Sequence, residues 1–332
     1  VSTPPAATAL DHVPVVDIGP WLTGGPDERA RVAEEVDRAL TGIGFLLITG
    51  HGVPLDLPDR VRAAARAVFG LPPAVKERYR ARVGEDSWLP RGWVPSGVET
   101  SALSEGTPTP PDLKETYSVG CWEPTGDPAL DAEWFGANVW PAEIPEFEAL
   151  VTEYLGHMHG LVEELLRLAA AALGLPEDHF LASATHPTWS FVVNWYPSLT
   201  HLGSVDDGAL RIGPHTDFGS LTILDRQLSS AGLQVWSEDA GWLDAPHVPG
   251  SFTVNIGDML ARWTGDRWTS NRHRVLPPDP TTPDEEITSL VFFYEADPTA
   301  PLTSVPPPIG RVTYPPVLAG DYLRAKLEAV AG

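Results

Sequence analysis

The sequence predicts a mainly β fold with flanking α: a helical N-terminal part packed on a β-barrel or jelly roll. Three observations carry this. Segments in the first half place apolar residues at helical spacing, after residue 187 the periodicity changes to two, and the later apolar runs are short and separated by turn residues. Of the 332 residues 42% are hydrophobic, with 12 Trp, 10 Phe and 7 Tyr, which suffices for a sizeable core in two domains or one large one.

In chain order, residues 1–12 are small and polar and read as a flexible tail. Val13-Pro14-Val15-Val16-Asp17-Ile18 is a β-branched run, a first strand. After Gly24-Gly25-Pro26 a helix carries Val32, Val36, Leu40 and Ile43 on one face. Gly44-Phe45-Leu46-Leu47-Ile48-Thr49 is a buried strand, and a second helix covers 58–69. Residues 80–142 are irregular and rich in Pro, Gly and Trp, a length that points to a functional segment or one packed over a site. The longest helix spans 144–173, striped by Leu150, Tyr154, Met158, Leu161, Leu165 and Leu168 and ended by Gly174-Leu175-Pro176. Strands follow at 189–196, 220–224, 232–236, 251–256 and 289–294. The division expected is an N-terminal α/β part over 13–143, the long helix and its connection over 144–186, a β core over 187–296 and a C-terminal extension over 297–332, integrated as one domain.

Charge and cysteine content exclude several functions. A net charge of -23 repels phosphate backbones and anionic lipid, so neither nucleic acid nor a membrane is the expected partner. The single cysteine, Cys121, allows no intrachain disulfide and no cysteine-based zinc site. No run approaches the ~18 apolar residues of a membrane span. Val1-Ser2-Thr3-Pro4-Pro5 carries no basic region followed by an apolar one, so no signal peptide is expected and the cytoplasm is the expected location. The expected partner is a small-molecule substrate, and the expected assembly a monomer or homodimer.

The informative stretch is Pro214-His215-Thr216-Asp217-Phe218-Gly219. Side chains two apart on a strand point the same way, so His215 and Asp217 can reach one point in space. His273, in Ser270-Asn271-Arg272-His273-Arg274-Val275, lies 58 residues downstream beside a turn-rich hairpin. Two imidazoles and one carboxylate leave three metal positions open, the facial triad of non-haem Fe(II) oxygenases.

With these motifs the chain resembles the isopenicillin N synthase-like family of Fe(II)/2-oxoglutarate-dependent oxygenases. The likeness covers nearly the whole chain. It runs through Val13–Asp17, Gly44–Val53, Pro214–Asp217, Gly232-Leu233-Gln234-Val235, Asn255-Ile256-Gly257-Asp258, Ser270–Val275 and Gly320-Asp321-Tyr322-Leu323. The resemblance implies a distorted double-stranded β-helix (jelly roll, cupin-like), and His215, Asp217 and His273 as ligands of Fe(II), with O2 as co-substrate. Asn194-Trp195-Tyr196-Pro197 is similar to the family segment whose second Tyr touches the co-substrate; Tyr196 is that position, and Asn194 shares its face.

One departure bears on the co-substrate. The family carries Arg-x-Ser on a late strand, and the Arg and Ser grip a carboxylate. This chain reads Ile287-Thr288-Ser289-Leu290-Val291-Phe292-Phe293, keeping Ser289 and placing Ile287 where the Arg belongs. Ile makes none of the charge-assisted bonds of a guanidinium fork. An unpaired desolvated carboxylate costs roughly 3–5 kcal/mol. Ile287 therefore favours an oxidase that needs no 2-oxoglutarate. The alternative is a 2-oxoglutarate-dependent hydroxylase or desaturase with a relocated anchor, for which Arg211, Arg226, Arg262 and Arg274 are the candidates. A non-catalytic small-molecule-binding protein is the alternative of another class. His157 reads as a packed core histidine and His159 as solvated; Trp88, Trp93 and Trp122 read as either core or substrate entrance. Together these observations predict an Fe(II)- and O2-dependent oxidation of a small molecule, of the kind met in specialised metabolism.

Overall fold

The computed structural model describes residues 13–82, 88–106, 109–203 and 205–331; the tail expected over 1–12 lies outside the described residues. Its principal strands are β1 (Val15–Asp17), β2 (Phe45–Thr49), β3 (Gly92–Val94), β4 (Glu115–Gly120), β5 (Trp189–Tyr196), β6 (Ile212–His215), β7 (Leu221–Asp225), β8 (Leu233–Ser237), β9 (Gly241–Asp244), β10 (Phe252–Ile256), β11 (His273–Val275) and β12 (Ile287–Tyr294). A major sheet runs β1-β2-β10-β7-β12-β5-β4-β3, and a minor sheet runs β6-β11-β8-β9. Two facing sheets of this kind are the jelly roll that the sequence predicts.

Three helices matter for the site: α1 (Pro26–Gly42), α2 (Leu57–Phe69) and α3 (Pro145–Ala172). Glu28 reaches back to the Gly25 N–H at 2.9 Å and caps the start of α1. Gly44 follows α1 with φ +73°, and a Cβ there would lie 2.0 Å from the Thr269 carbonyl oxygen, so only glycine allows this approach. At the end of α3, Leu175 N–H bonds the Ala170 carbonyl and Gly174 N–H the Ala171 carbonyl, with Gly174 at φ +67°. These bonds satisfy carbonyls that the helix end would leave bare.

Alternation along the strands sorts chemistry onto two faces. Phe191 and Val193 on β5, Leu290 and Phe292 on β12, and Leu221 and Ile223 on β7 enter the main hydrophobic core with Tyr154, Met158 and Leu165 of α3. The opposite face carries Ser190 and Asn194 on β5, Ser289 on β12, Thr222 on β7 and Asn255 on β10, and it lines a cavity between the sheets. The outer face is thus apolar and buried under the helices, while the inner face mixes these polar groups with Val192, Ile287, Val291 and Phe293.

Two expectations need correction. The segment 80–142 is not wholly irregular, because β3 and β4 extend the major sheet beyond β5. In Glu115-Thr116-Tyr117-Ser118-Val119-Gly120 only Tyr117 and Val119 are apolar, so pairing with β5 rather than local propensity makes the strand. His159, not His157, is the packed histidine of α3. Its ring stands edge-on to Trp189 and Phe292 at 5.0 and 5.1 Å, and burial pushes its pKa down. His157 is half-buried like His159, but lies on another side of the helix. Trp93 is core, Trp88 lines the cavity, and Trp122 is partly exposed against Trp189.

Phe292 is fully buried between Trp189, Tyr294 and His159. Phe292→Ala should cost about 3–5 kcal/mol of stability, read as a lower urea midpoint with an unchanged slope. A loss below about 1 kcal/mol would mean that the outer core tolerates collapse there.

Candidate functional site

Antiparallel pairing of β6 with β11 sets His273 directly opposite His215, with ring centroids 4.1 Å apart. Asp217 lies just past the end of β6, where the chain turns into the loop before β7. Its Oδ1 is 3.7 Å from the Nε2 atoms of both histidines, and one ligand atom from each of the three residues falls within 4.8 Å of the others. The structure therefore brings the three predicted ligands together.

The remaining polar atoms of the triad are already bonded. His215 Nδ1–H donates to the Gly213 carbonyl at 2.8 Å, and His273 Nδ1–H donates to the Asn271 carbonyl at 3.2 Å. Each bond fixes the tautomer that leaves Nε2 bare. Thr222 Oγ1 and Asn255 Nδ2 donate to Asp217 Oδ2 at 2.6 and 2.7 Å, leaving Oδ1 free. Two imidazole nitrogens and one carboxylate oxygen aimed at one point suit a divalent metal of borderline softness, Fe(II) among them.

Protonation agrees with that donor set. Burial, then the neighbouring His273, pushes the His215 pKa well below the usual imidazole value, so the ring is neutral. Burial pushes the Asp217 pKa up, but His273, His215 and the bonds from Thr222 and Asn255 outweigh it, and the carboxylate stays ionised. Gly257 lets the backbone close behind the triad: a Cβ there would lie 2.2 Å from the Gly219 carbonyl oxygen, and Asp258 N–H bonds the Asp217 carbonyl.

The triad opens into a cavity of about 970 Å³. Asn194, Tyr196, Ile287 and Ser289 all line it, as the sequence expects from strand alternation. Tyr196 Oη and Ser289 Oγ are 3.3 Å apart, and Ile287 is buried against Tyr196, Ile212 and Val275. Asn194 Oδ1 is buried without a partner. Of the four candidate arginines, Arg211 is buried outside the cavity and bound to Glu285, Arg262 donates to the Pro315 carbonyl, and Arg274 donates to Gln234. Arg226 alone among them lines the cavity.

Sequence reasoning missed two cavity residues. Lys114 enters from the residue before β4, and its Nζ lies 3.0 Å from Glu99 Oε2. Glu295 follows β12, and its Oε2 is buried without a partner. Burial raises the Glu295 pKa to about 8; a Thr188 hydrogen bond opposes this and the Asp217 charge adds to it. The strand period that places Ile287, Ser289 and Phe293 on the inner face reaches Glu295 two residues on, so a signal for it existed.

Chain comparisons agree with this geometry. Residues 13–143 match the N-terminal region of the family described as non-haem dioxygenase in morphine synthesis, and residues 189–296 match the 2OG-Fe(II) oxygenase superfamily. The chain is 44% identical to validamycin A dioxygenase of Streptomyces hygroscopicus subsp. limoneus, over 95% of this chain and 85% of that protein. It is 32% identical to the 2-oxoglutarate-dependent dioxygenase traH of Penicillium crustosum, over 80% of each. Among solved structures it is similar to a full-length Neurospora crassa protein in complex with alpha-KG and 5-formyluracil, with a TM-score of 0.80, 25% identity and 96% of each chain covered. These likenesses do not support the expectation, built on Ile287, of a protein that works without 2-oxoglutarate. That expectation looked for a replacement charge only among arginines, whereas the cavity wall carries Lys114.

Two outcomes follow from the site. Thr222→Val removes one of the two donors that orient Asp217, and should weaken Fe(II) binding about 10–100-fold, measured by anaerobic titration; unchanged affinity would mean that Asn255 suffices alone. In metal-free protein Glu295 keeps its proton to about pH 8, while the unfolded chain loses it near 4.5. The unfolded state then binds fewer protons between these values, so stability falls as pH rises through that window. Glu295→Gln should flatten this fall in urea unfolding; an equally steep fall in the variant would assign it to another group.

Proposed function

The chain belongs to the 2OG-Fe(II) oxygenase superfamily, and from that premise we propose that it hydroxylates a small molecule of the validamycin A kind at an iron held by His215, Asp217 and His273. It is a non-haem iron- and 2-oxoglutarate-dependent dioxygenase acting on small molecules. The observation that carries the site assignment is the bonding pattern around the triad: every atom not aimed at the common point is tied to a carbonyl, a hydroxyl or an amide.

The chain's own groups then have distinct tasks. His215 Nε2, His273 Nε2 and Asp217 Oδ1 hold the metal on one side and leave the cavity side open. Tyr196 and Ser289 present adjacent hydroxyls at one cavity wall, suited to the carboxylate of 2-oxoglutarate, and Asn194 offers a further polar contact. Ser118, Ser190 and the neutral Glu295 carboxyl line the inner face beside Val192, Val291 and Phe293 and suit substrate hydroxyls. The sheets cover the triad from behind, where Asp217 and His273 are buried and His215 is half-buried. Bound Fe(II) supplies O2 activation, with 2-oxoglutarate oxidised to succinate and CO2 as one oxygen atom enters the substrate.

Iron-loaded protein given validamycin A, O2 and 2-oxoglutarate should form succinate in step with hydroxylated product, and His273→Ala should form neither. Oxygen uptake with Fe(II) and substrate alone, 2-oxoglutarate remaining untouched, would return the reading to an oxidase. Succinate release that validamycin A does not stimulate would keep the co-substrate and reject that substrate.

A further inference from the structure

A 2-oxoglutarate held at the metal through its keto-acid end carries a second carboxylate, which enters the cavity and leaves water. Such a charge is costly unless a cation and hydrogen bonds meet it. The hydroxyl pair Tyr196–Ser289 supplies the bonds, but Ile287 beside it supplies no charge. Among the described residues lining the cavity, the Lys and Arg cations are Lys114 and Arg226. Arg226 is committed elsewhere: its Nε donates to Thr253 Oγ1 and its terminal nitrogen to the carbonyls of Ala245 and Pro246.

Lys114 is placed differently. In the ladders Glu115 pairs with Trp195, and Trp195 with Thr288. One residue along, Ile287 pairs with Tyr196, and Lys114 falls on the other side of Tyr196 in the same row. All three line the cavity. Strands about 4.8 Å apart put the Lys114 backbone about 10 Å from that of Ile287, within reach of a four-carbon side chain directed at the space over Tyr196. Lys114, Tyr196 and His215 all line the same cavity. Lys114 has one direct carboxylate partner, Glu99, while an ammonium has three donors.

We propose that Lys114 is the cation that receives the distal carboxylate of 2-oxoglutarate, reaching it across Tyr196 in place of a charge at position 287, and that Glu99 competes for the same ammonium. The proposal rests on the 2-oxoglutarate dependence argued above. It makes Lys114 a co-substrate-binding residue.

The test is anaerobic titration of Fe(II)-loaded protein, following the visible charge-transfer absorption that a chelated 2-oxo acid produces. Two probes are compared: 2-oxoglutarate, and 2-oxobutyrate, which keeps the keto acid and lacks the distal carboxylate. Lys114→Met should raise the Kd for 2-oxoglutarate roughly 30-fold or more and move that for 2-oxobutyrate by less than about threefold. Glu99→Gln should tighten 2-oxoglutarate, because it frees the ammonium; a purely structural ion pair predicts no gain. The double variant Lys114→Met/Ile287→Arg should recover 2-oxoglutarate binding, since it returns a cation to the same row. The proposal is overturned if Lys114→Met binds 2-oxoglutarate like the parent, if it loses both acids alike, or if Arg226→Met alone produces the selective loss. A parent protein that binds Fe(II) but gives no band with 2-oxoglutarate would overturn the functional reading and this proposal together.

Discussion

The antiparallel register of β6 and β11 controls the rest of the site, because it sets two imidazoles face to face across neighbouring strands. A slip of one residue would turn one ring out of the cavity and substitute a residue of the other face. The carboxylate between them is held from the other sheet: Thr222 comes from β7 and Asn255 from β10. Both sheets of the barrel therefore converge on Asp217. The triad geometry follows from the closure of the jelly roll, not from the short loop that carries His-x-Asp. Backbone carbonyls complete the arrangement by choosing the tautomers, so metal-ready nitrogens exist without any further side chain.

The same alternation that builds the sheet divides its labour. Outward residues are large and apolar and bury against α3, which supplies the driving force for folding. Inward residues mix Ser, Thr, Asn and Tyr, able to bond a polar ligand in many orientations, with Val192, Ile287, Val291 and Phe293. The candidate site and the fold's core thus use opposite faces of the same strands, and a change on the inner face need not disturb the outer core.

Charge inside the barrel is sparse and arranged in opposition. Lys114 stands near Glu99 and Asp112, whose charges outweigh the burial that disfavours the ammonium, so it stays protonated. Glu295 is paired with no cation among the described residues, and burial keeps it neutral. The wall at Ile287 is apolar and packed with Tyr196, Ile212 and Val275. The Lys and Arg cations lining the cavity, among the described residues, are instead Lys114 and Arg226. That difference cannot be seen in a single strand.

The chain's own order of residues determined the elements with strong local signals. The helical stripe of α3, the two-residue period of β5 and β12 and the pairing of His215 with Asp217 are all carried by residues close in sequence. The family motifs around them singled out His273 as the third expected ligand, and exposed the unusual Ile287. Tertiary structure decided what depends on contacts between distant segments. β4 is a strand because β5 pairs with it, and Lys114 and Tyr196 share a row although 82 residues separate them. Which histidine of α3 is packed depends on the rotation of that helix against Trp189 and Phe292. Periodicity shows which residues share a face, but only strand pairing shows which faces meet. Losing an arginine is therefore legible in sequence, while finding the cation that can replace it requires the folded sheet.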